Sequence, residues 1–476
     1  MTHTIPKNTK ENNYTRSSHV CSIVNFIAHI SPISDAQINA VVEFENKELG
    51  IIWQIGQHSN VVLLLAPVSL VTTGMEVRIV ASNFSIYADE RLLGRIVDPL
   101  LSPRDNKPLV SGGKPQPVFG IAPSFFERAI VDEQLETGVM IVDTLFPIVK
   151  GQRIAIIGDN KTGKTTFLTQ IAQAQRQQDA ILVYVLIGKR TQDINFVLAK
   201  LKDSGVLDKT VIVLADAFDG PVLGYLAPFV GCAIAESYWR AGKNTIIFYD
   251  DMSTHAKTYR EMSLLMDLPV GREAYPGDMF WQHASLLERA GRLKRNGASQ
   301  TAIAVSTAPT GDLSGFLPTS LISMTDGQIV FDLASLHKGI HPAVNVGISV
   351  SRVGGRSQSK NFAKLSSRIK SQLAKYRDAK DYARFGSEPS DATQQQIELG
   401  DKLYELFSQS PTQIYNLKEQ YLLIETVMQS NDVAKLNIPW LKSVISDVAS
   451  QEIVENDYVK IARELAKSNP VMGRHE

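Results

Sequence analysis

A glycine-rich segment between a short apolar run and a helical pattern has the residue types that phosphate binding needs. It fits the pattern G-x-x-x-x-G-K-[ST], with the residues Gly158, Asp159, Asn160, Lys161, Thr162, Gly163, Lys164 and Thr165. In such a loop the backbone N–H groups wrap a polyphosphate, the lysine reaches the β- and γ-phosphate oxygens, and the threonine hydroxyl binds Mg²⁺. We therefore predict that this loop and the following Thr166 bind ATP or ADP, with Thr165 as a Mg²⁺ ligand.

A second candidate for the Mg²⁺ site, besides Thr165, is an acidic residue at the end of a predicted apolar strand. Residues 246–251 read IIFYDD, so that Asp250 and Asp251 follow four apolar or aromatic residues. A carboxylate at such a strand end acts as an outer-sphere ligand of Mg²⁺ in phosphate-loop proteins. We predict this role for Asp250, whereas Asp251 has the alternative interpretation of a helix N-cap.

Three patterns of apolar residues predict the elements that position these side chains. After a polar tail (residues 1–19), residues 20–93 contain short β-branched runs separated by glycine and asparagine, which is typical of a small β-barrel. In residues 94–360 buried-looking strands alternate with helical patterns, which predicts a central α/β phosphate-loop (RecA-like) nucleotide-binding domain with a mainly parallel sheet. Residues 361–476 read as a C-terminal α-helical bundle, in which Phe362, Leu365, Ile369, Leu373 and Tyr376 share one helix face.

Composition narrows the classes of partner. The chain has 49 basic and 49 acidic residues among 476, so no global charge attracts nucleic acid or an anionic membrane. Its two cysteines have no metal or redox spacing, which fits a reducing cytosol. The apolar runs are shorter than the roughly 20 residues that cross a bilayer. We expect no nucleic-acid partner, and a membrane connection through other subunits only.

Further motifs, in order along the chain, resemble the α subunit of F-type ATP synthases over nearly all residues after residue 90. The matching segments are LLGRIVD at 92–98, the phosphate loop, YDD at 249–251, GREAYPGD at 271–278, LLERA at 286–290, TDGQI at 325–329, NVGISVSRVG at 345–354, RFGS at 384–387 and ATQQQ at 392–396. The resemblance implies a barrel, a nucleotide domain and a helical domain. It also implies a hexameric ring with alternating catalytic β-type subunits, a central γ-type shaft, peripheral stalk subunits and an indirect link to a membrane ion-translocating sector.

The resemblance also implies that this chain is largely non-catalytic. Catalytic relatives carry a glutamate that orients the attacking water one strand beyond the phosphate loop, and α subunits carry glutamine there. The matching position here is Lys189. A protonated lysine offers only donors and cannot accept a proton from water. Lys189 is interpreted either as a point charge for the terminal phosphate or as a solvated lysine at a strand end.

Arg352 is the residue predicted to act in catalysis. The resemblance places it at the ATP site of the neighbouring subunit, with Ser349 nearby in a stretch that the family needs for activity. A guanidinium supplied in trans stabilises the charge on the γ-phosphate oxygens during phosphoryl transfer. The alternative interpretation of Arg352 is a structural ion pair.

Several positions depart from the family pattern around the base. Leu336 and His341 replace an aromatic residue and an arginine. Of two family glutamines near the adenine, one is kept as Gln409 and the other falls at Pro411. Losing these stacking surfaces weakens base binding by a few kcal/mol at most. We expect retained phosphate binding, reduced adenine selectivity and a divergent or alternative form of the subunit.

The leading hypothesis is an α-type subunit at the cytoplasmic face of the plasma membrane, held there by its partners. The alternative is a self-sufficient homohexameric ATPase motor of the secretion or RNA-translocating type. Such a motor needs a water-positioning carboxylate in every subunit, and Lys189 argues against that. A third hypothesis is a scaffold with a vestigial nucleotide site.

Overall fold

The computed structural model describes residues 18–65, 70–110, 112–384, 390–452 and 454–470. Residues 1–17 of the predicted polar tail and residues 385–387 of the RFGS segment lie outside the described residues. The strands are β1 (Ser18–Val24), β2 (Ile27–Ile30), β3 (Val41–Phe44), β4 (Leu49–Ile55), β5 (Asn60–Leu64), β6 (Glu76–Ala81), β7 (Ser85–Ala88), β8 (Ile96–Val97), β9 (Lys114–Pro117), β10 (Gln134–Leu135), β11 (Ile148–Val149), β12 (Arg153–Gly158), β13 (Ala180–Lys189), β14 (Thr210–Asp216), β15 (Asn244–Asp250), β16 (Gly291–Arg292), β17 (Ser299–Thr307), β18 (Gly327–Phe331) and β19 (Val350–Ser351).

Helices are concentrated in the second half of the chain. They are α1 (Met140–Leu145), α2 (Lys164–Ala174), α3 (Thr191–Asp203), α4 (Pro221–Arg240), α5 (Met252–Leu265), α6 (Met279–Leu287), α7 (Phe316–Met324), α8 (Leu333–His337), α9 (Lys360–Arg384), α10 (Asp391–Phe407), α11 (Leu417–Gln429), α12 (Ile438–Ala449) and α13 (Tyr458–Ser468). None of the described helices is both long and apolar enough to cross a membrane.

The first six strands form a closed antiparallel barrel in the order β1-β2-β5-β4-β3-β6. Alternate residues of the strands point inward, and their β-branched and aromatic side chains fill the interior. Val42, Phe44, Ile52 and Val62 are among the side chains of this core. Closure removes the open strand edges that would otherwise pair with other chains.

The chain forms two compact units, and the first contains residues up to Ile130 together with Asp179–Ser306 and Ser314–Met324. Besides the barrel, this unit has parallel strands in the order β17-β15-β13-β14-β8, with β16 antiparallel to β17. Strand β13 is buried over most of its length, and α4 packs against β13 and β15. Near-continuous apolar runs fit strands that are covered on both faces.

The second unit contains Val131–Gln178, Thr307–Leu313 and the chain from Thr325 onward. Here β12 pairs with β18 in parallel and β18 with β19 antiparallel. Strand β12 leads through the phosphate loop directly into α2.

Helices α9 to α13 follow in the same unit, where α9 packs on α10 and α11 packs on α12 and α13. The helix face predicted from residues 362–376 is buried, with Leu365, Ile369 and Leu373 each at most 1% exposed. The predicted fold class of barrel, α/β nucleotide-binding domain and helical domain is therefore confirmed. The linear domain boundaries at residues 19, 93 and 360 stay predictions.

Candidate functional site: a phosphate loop and a lysine–aspartate cluster

The phosphate loop belongs to the second unit and connects β12 to α2. Gly163 has a φ of 98° and Lys161 a φ of 61°, both in the left-handed region that turns the chain sharply. A Cβ on Gly158 would lie 2.4 Å from the carbonyl oxygen of Phe331, so only glycine fits there. Helix α2 begins at Lys164, directly after the loop, and the N-terminus of an α-helix favours anions.

Side chains of the loop bond to the loop's own backbone and to the segment after β17. The ammonium of Lys164 donates to the carbonyl oxygens of Gly158 (3.0 Å) and Asp159 (2.5 Å), and the Thr162 hydroxyl donates to Asp159 O (2.8 Å). The Asp159 carboxylate accepts from the backbone N–H of Thr310 (2.9 Å). These bonds keep the lysine inside the loop, where nucleotide phosphates bind in phosphate-loop proteins.

A cavity of about 560 Å³ opens beside the loop within the same unit. Its walls come from the loop and α2, from the chain after β18, and from the segment after α10: Lys161, Thr162, Gly163, Thr166, Gln170, Phe331, Leu336, His341, Pro342, Ala343, Ser408, Gln409, Ser410 and Pro411. This volume lies in the range of sites for small-molecule ligands. The structure thus brings the divergent positions Leu336, His341 and Pro411 together with the phosphate loop.

Gln409 contributes to this cavity less directly than the sequence predicts. It is 3% exposed, and its Oε1 accepts from Met140 N (2.6 Å). Its Nε2 donates to the carbonyl oxygens of Gly138 (2.9 Å) and Gln413 (3.1 Å). A hydrogen bond from this amide to a base would have to replace one of these bonds.

The first unit contains a cluster of one lysine and two aspartates at the carboxyl ends of neighbouring parallel strands. Lys189 ends β13 and Asp250 ends β15. The ammonium of Lys189 lies 2.6 Å from Asp250 Oδ1 and 3.1 Å from Asp251 Oδ2. The Tyr184 hydroxyl donates to Asp250 Oδ2 (3.2 Å).

The lysine of this cluster stays charged. Burial by itself lowers the pKa of Lys189, but Asp250 and Asp251 outweigh that effect and raise this pKa above its ordinary value. The interpretation of Lys189 as a solvated lysine is wrong, since its side chain is 18% exposed and bonded to both carboxylates. The alternative for Asp251 is confirmed, because its carboxylate accepts from Thr254 N (2.7 Å) and caps α5.

The predicted Mg²⁺ role of Asp250 stays a prediction, and its carboxylate is engaged within the cluster. The Asp250 carboxylate is 1% exposed, and one of its oxygens is already paired with the Lys189 ammonium. In the described part of the chain, no group of three or more histidine, cysteine or acidic side chains is arranged to hold a metal ion. Thr165, the second residue of α2, stays a predicted ligand.

The two residues predicted to act on a neighbouring site lie at the ends of β19 and differ in exposure. Arg352 is exposed, and its guanidinium donates to the carbonyl oxygen of Thr325 (2.5 Å). Ser349 is 4% exposed; its hydroxyl donates to Asn345 O (2.7 Å) and accepts from Val330 N (3.0 Å). Ser349 therefore fixes the loop before β19, whereas Arg352 has the exposure that contact with another subunit requires.

Sequence reasoning identified Lys189 and Asp250 separately but missed that they form an ion pair. Leu186 of β13 lies opposite Asp250 of β15 in the parallel register, and β13 is irregular at Gly188, directly before Lys189, where φ is 59°. The position of both residues at predicted strand ends could have indicated the pair, because the carboxyl ends of adjacent parallel strands meet at one edge of a sheet.

Comparison with known proteins finds matches over most of the chain. Residues 138–351 match the family model described as "ATP synthase alpha/beta family, nucleotide-binding domain", and residues 358–472 match "ATP synthase alpha/beta chain, C terminal domain". The chain is 35% identical over 454 residues to "ATP synthase subunit alpha" of Acholeplasma laidlawii, covering 95% of this chain and 90% of that protein. For the proteins of that description from Dehalococcoides mccartyi (strain 195) and Aquifex aeolicus, the identities are 35% over 471 residues and 38% over 400 residues. These alignments cover 97% and 84% of this chain, and 92% and 80% of the relatives.

Proposed function

Since the chain belongs to the ATP synthase alpha/beta family, with α subunits as its relatives, we propose that it binds ATP or ADP without turning it over. In this proposal it also lends Arg352 to the ATP site of an adjacent β-type subunit. The chain is then a regulatory, non-catalytic member of a ring whose β-type subunits do the chemistry.

One observation carries the non-catalytic part of the proposal. At the position where hydrolysis requires a proton acceptor, the chain has an ammonium 2.6 Å from Asp250 and 3.1 Å from Asp251. General-base catalysis needs a group that can take a proton from water, and an ion-paired lysine offers only donors. Lys189 therefore cannot serve as the base for the chain's own nucleotide.

Nucleotide binding is supported by the loop and its cavity. The loop supplies backbone N–H groups and Lys164 for the phosphates, while Phe331, Leu336, Pro342 and Pro411 offer apolar surface for a base. Apolar contact discriminates weakly between bases because it leaves no buried donor or acceptor unpaired when the base changes. We propose tight phosphate binding with little selectivity for adenine.

The proposal also specifies the partner subunits and the location of the chain. The chain alternates with β-type subunits around a γ-type shaft, contacts peripheral stalk subunits, and reaches the membrane sector that moves H⁺ or Na⁺ only through them. It lies at the cytoplasmic face of the plasma membrane. Exposure of Arg352 supports a role toward a neighbour, because a guanidinium supplied in trans increases phosphoryl-transfer turnover by about 10³–10⁵.

The test is reconstitution of the ring from the purified chain, its β-type partner and the shaft subunit. ATP hydrolysis by the isolated chain should be negligible, and the complete ring should be active. With Arg352→Ala the hydrolysis rate of the ring should fall by about 10³–10⁵, because the charge developing on the γ-phosphate loses its guanidinium.

Arg356→Ala is the matched control, since Arg356 is also exposed and lies four residues further along. The control ring should keep the rate of the unmodified ring. Robust turnover by the isolated chain, or full activity of the Arg352→Ala ring, would contradict the proposal.

A further inference from the structure

A buried glutamine lies in the wall of the cavity beside the phosphate loop. Gln170 of α2 is 3% exposed and is one of the residues that line this cavity. Its Nε2 donates to the carbonyl oxygen of Ser410 at 3.3 Å. Because a carbonyl oxygen only accepts, the bonded end of the amide is its NH₂ group, and the other end is the acceptor Oε1. No residue in the described part of the chain donates a hydrogen bond to this oxygen.

Gln409, which also lines the cavity, differs from Gln170 in this respect. Both the oxygen and the nitrogen of its amide are bonded to backbone groups, those of Met140, Gly138 and Gln413. A base could bond to Gln409 only after one of these bonds is broken, whereas Gln170 offers an acceptor without such a loss. An acceptor that a ligand covers without supplying a donor loses its water and is unfavourable. Gln170 therefore favours a ligand with a donor.

The position of Gln170 on α2 separates it from the phosphate-binding end of the helix. Gly163, Thr166 and Gln170 line the cavity, and their spacing of three and four residues puts them on one face. Gln170 is six residues beyond Lys164, which is about 9 Å along the axis at the α-helical rise. When the phosphates are held at Lys164, the part of a nucleotide that reaches Gln170 is its base.

We propose that Gln170 is a specificity-determining residue that accepts a hydrogen bond from the nucleobase, so that the site takes nucleotides whose base carries an N–H donor. Adenine, guanine and cytosine carry amino groups, and uracil carries a ring N–H. The bond therefore adds affinity without selecting adenine, in agreement with the weak base selectivity proposed above. The inference rests on the proposed nucleotide binding and goes beyond it by naming the residue that contacts the base and the chemical group that it requires.

Calorimetric titration of two triphosphates into the purified chain, both in MgCl₂, tests the proposal. Purine riboside triphosphate has the ring system and the ribose of ATP, but it lacks the amino group and has no N–H on its base. The unmodified chain should bind ATP at least about tenfold more tightly than this analogue, because the analogue covers the Gln170 oxygen without supplying a donor. A glutamine with a structural role alone would leave the two dissociation constants equal.

Gln170→Met keeps the length of the side chain and removes its amide. This variant should bind the two triphosphates with dissociation constants that agree within about twofold. Loss of the bond to Ser410 affects both ligands and cancels in their ratio. Gln173→Met is the matched control, since Gln173 belongs to the same helix and donates to the carbonyl oxygen of Thr412 (3.5 Å), outside the cavity wall given above. The control should keep the preference of the unmodified chain for ATP.

The outcomes separate the two proposals. Equal affinity of the unmodified chain for ATP and the analogue would overturn the role of Gln170 and leave nucleotide binding intact. A preference for ATP that persists in Gln170→Met would overturn it as well, because another group would then contact the base. Absence of binding of both triphosphates to the unmodified chain would overturn the proposed function and this inference together. The titration of the unmodified chain keeps the inference open to refutation even if Gln170→Met does not fold.

Discussion

At the scale of single residues, one arginine of the family-like LLERA segment is structural. The guanidinium of Arg289 donates to both carboxylate oxygens of Glu236, at 2.8 and 2.9 Å, and to the carbonyl oxygen of Val118 at 2.7 Å. Both charged side chains are 1% exposed. A bidentate pair withdrawn from water in this way is far more sensitive to loss of one partner than an exposed pair.

We predict that Arg289→Met lowers the free energy of unfolding by about 3–5 kcal/mol, because it leaves the Glu236 carboxylate buried and uncompensated. Arg190→Met removes an ion pair whose partners, Arg190 and Asp193, are 77% and 44% exposed, and should cost less than about 1 kcal/mol. Denaturant unfolding of both variants measures the difference. Equal losses of unfolding free energy in the two variants would show that burial does not determine how strongly the Arg289–Glu236 pair stabilises the fold.

At the scale of elements, a pair of histidines joins α5 to α6. His255 Nδ1 and His283 Nε2 are 3.0 Å apart, and His255 Nε2 lies 3.1 Å from the carbonyl oxygen of Tyr225. Both rings are buried. Burial lowers the pKa of His255 to about 4 and holds that of His283 well below its ordinary value. The two helices are therefore joined through neutral imidazoles.

This pair predicts a loss of stability in acid. Unfolded histidine takes up a proton near pH 6.5, whereas the folded rings resist it. The unfolded state therefore binds more protons, and stability falls as the pH decreases from 6.5 towards 4. The contribution of His255 is up to about 3 kcal/mol.

Unfolding midpoints measured across this range should fall less steeply for His283→Gln than for the unmodified chain. The exposed His337→Gln should keep the original slope, and an unchanged slope in His283→Gln would refute the assignment.

At the scale of the whole molecule, one short segment of the chain exposes several large apolar side chains to solvent. Ile121, Phe125, Phe126 and Ile130 are 88%, 83%, 83% and 70% exposed within ten residues of sequence. Exposed apolar side chains grouped in this way mark surfaces that bind other proteins. The ring subunit proposed above is expected to carry such a surface.

We predict that Phe125→Ser combined with Phe126→Ser weakens association with the proposed β-type partner by at least about tenfold, because aromatic anchors supply much of the binding energy at interfaces. The unfolding midpoint of the isolated chain should not change, since neither ring is part of the core. Val454→Ser replaces another exposed apolar residue, outside this segment, and serves as the control. Equal affinities of the double variant and the control would exclude this segment from the interface.

The sequence by itself determined the fold class, the phosphate loop and the family. Strand, loop and helix around Lys164 are contiguous, the barrel strands and the buried face of α9 have local periodicities, and the family motifs are short strings in a fixed order. Each of these is specified within a few residues of chain, where propensity and pattern act. Such features can be predicted before any pairing of distant segments is known.

Only the tertiary structure decided which polar groups are already paired. Lys189 meets Asp250 through the pairing of β13 with β15, and Gln409 bonds to Met140 across 269 positions of chain. Ser349 is bonded to the loop and strand around it rather than presented to solvent. Strand register and helix docking fix these partners, and they depend on packing summed over the whole fold, which no local pattern encodes.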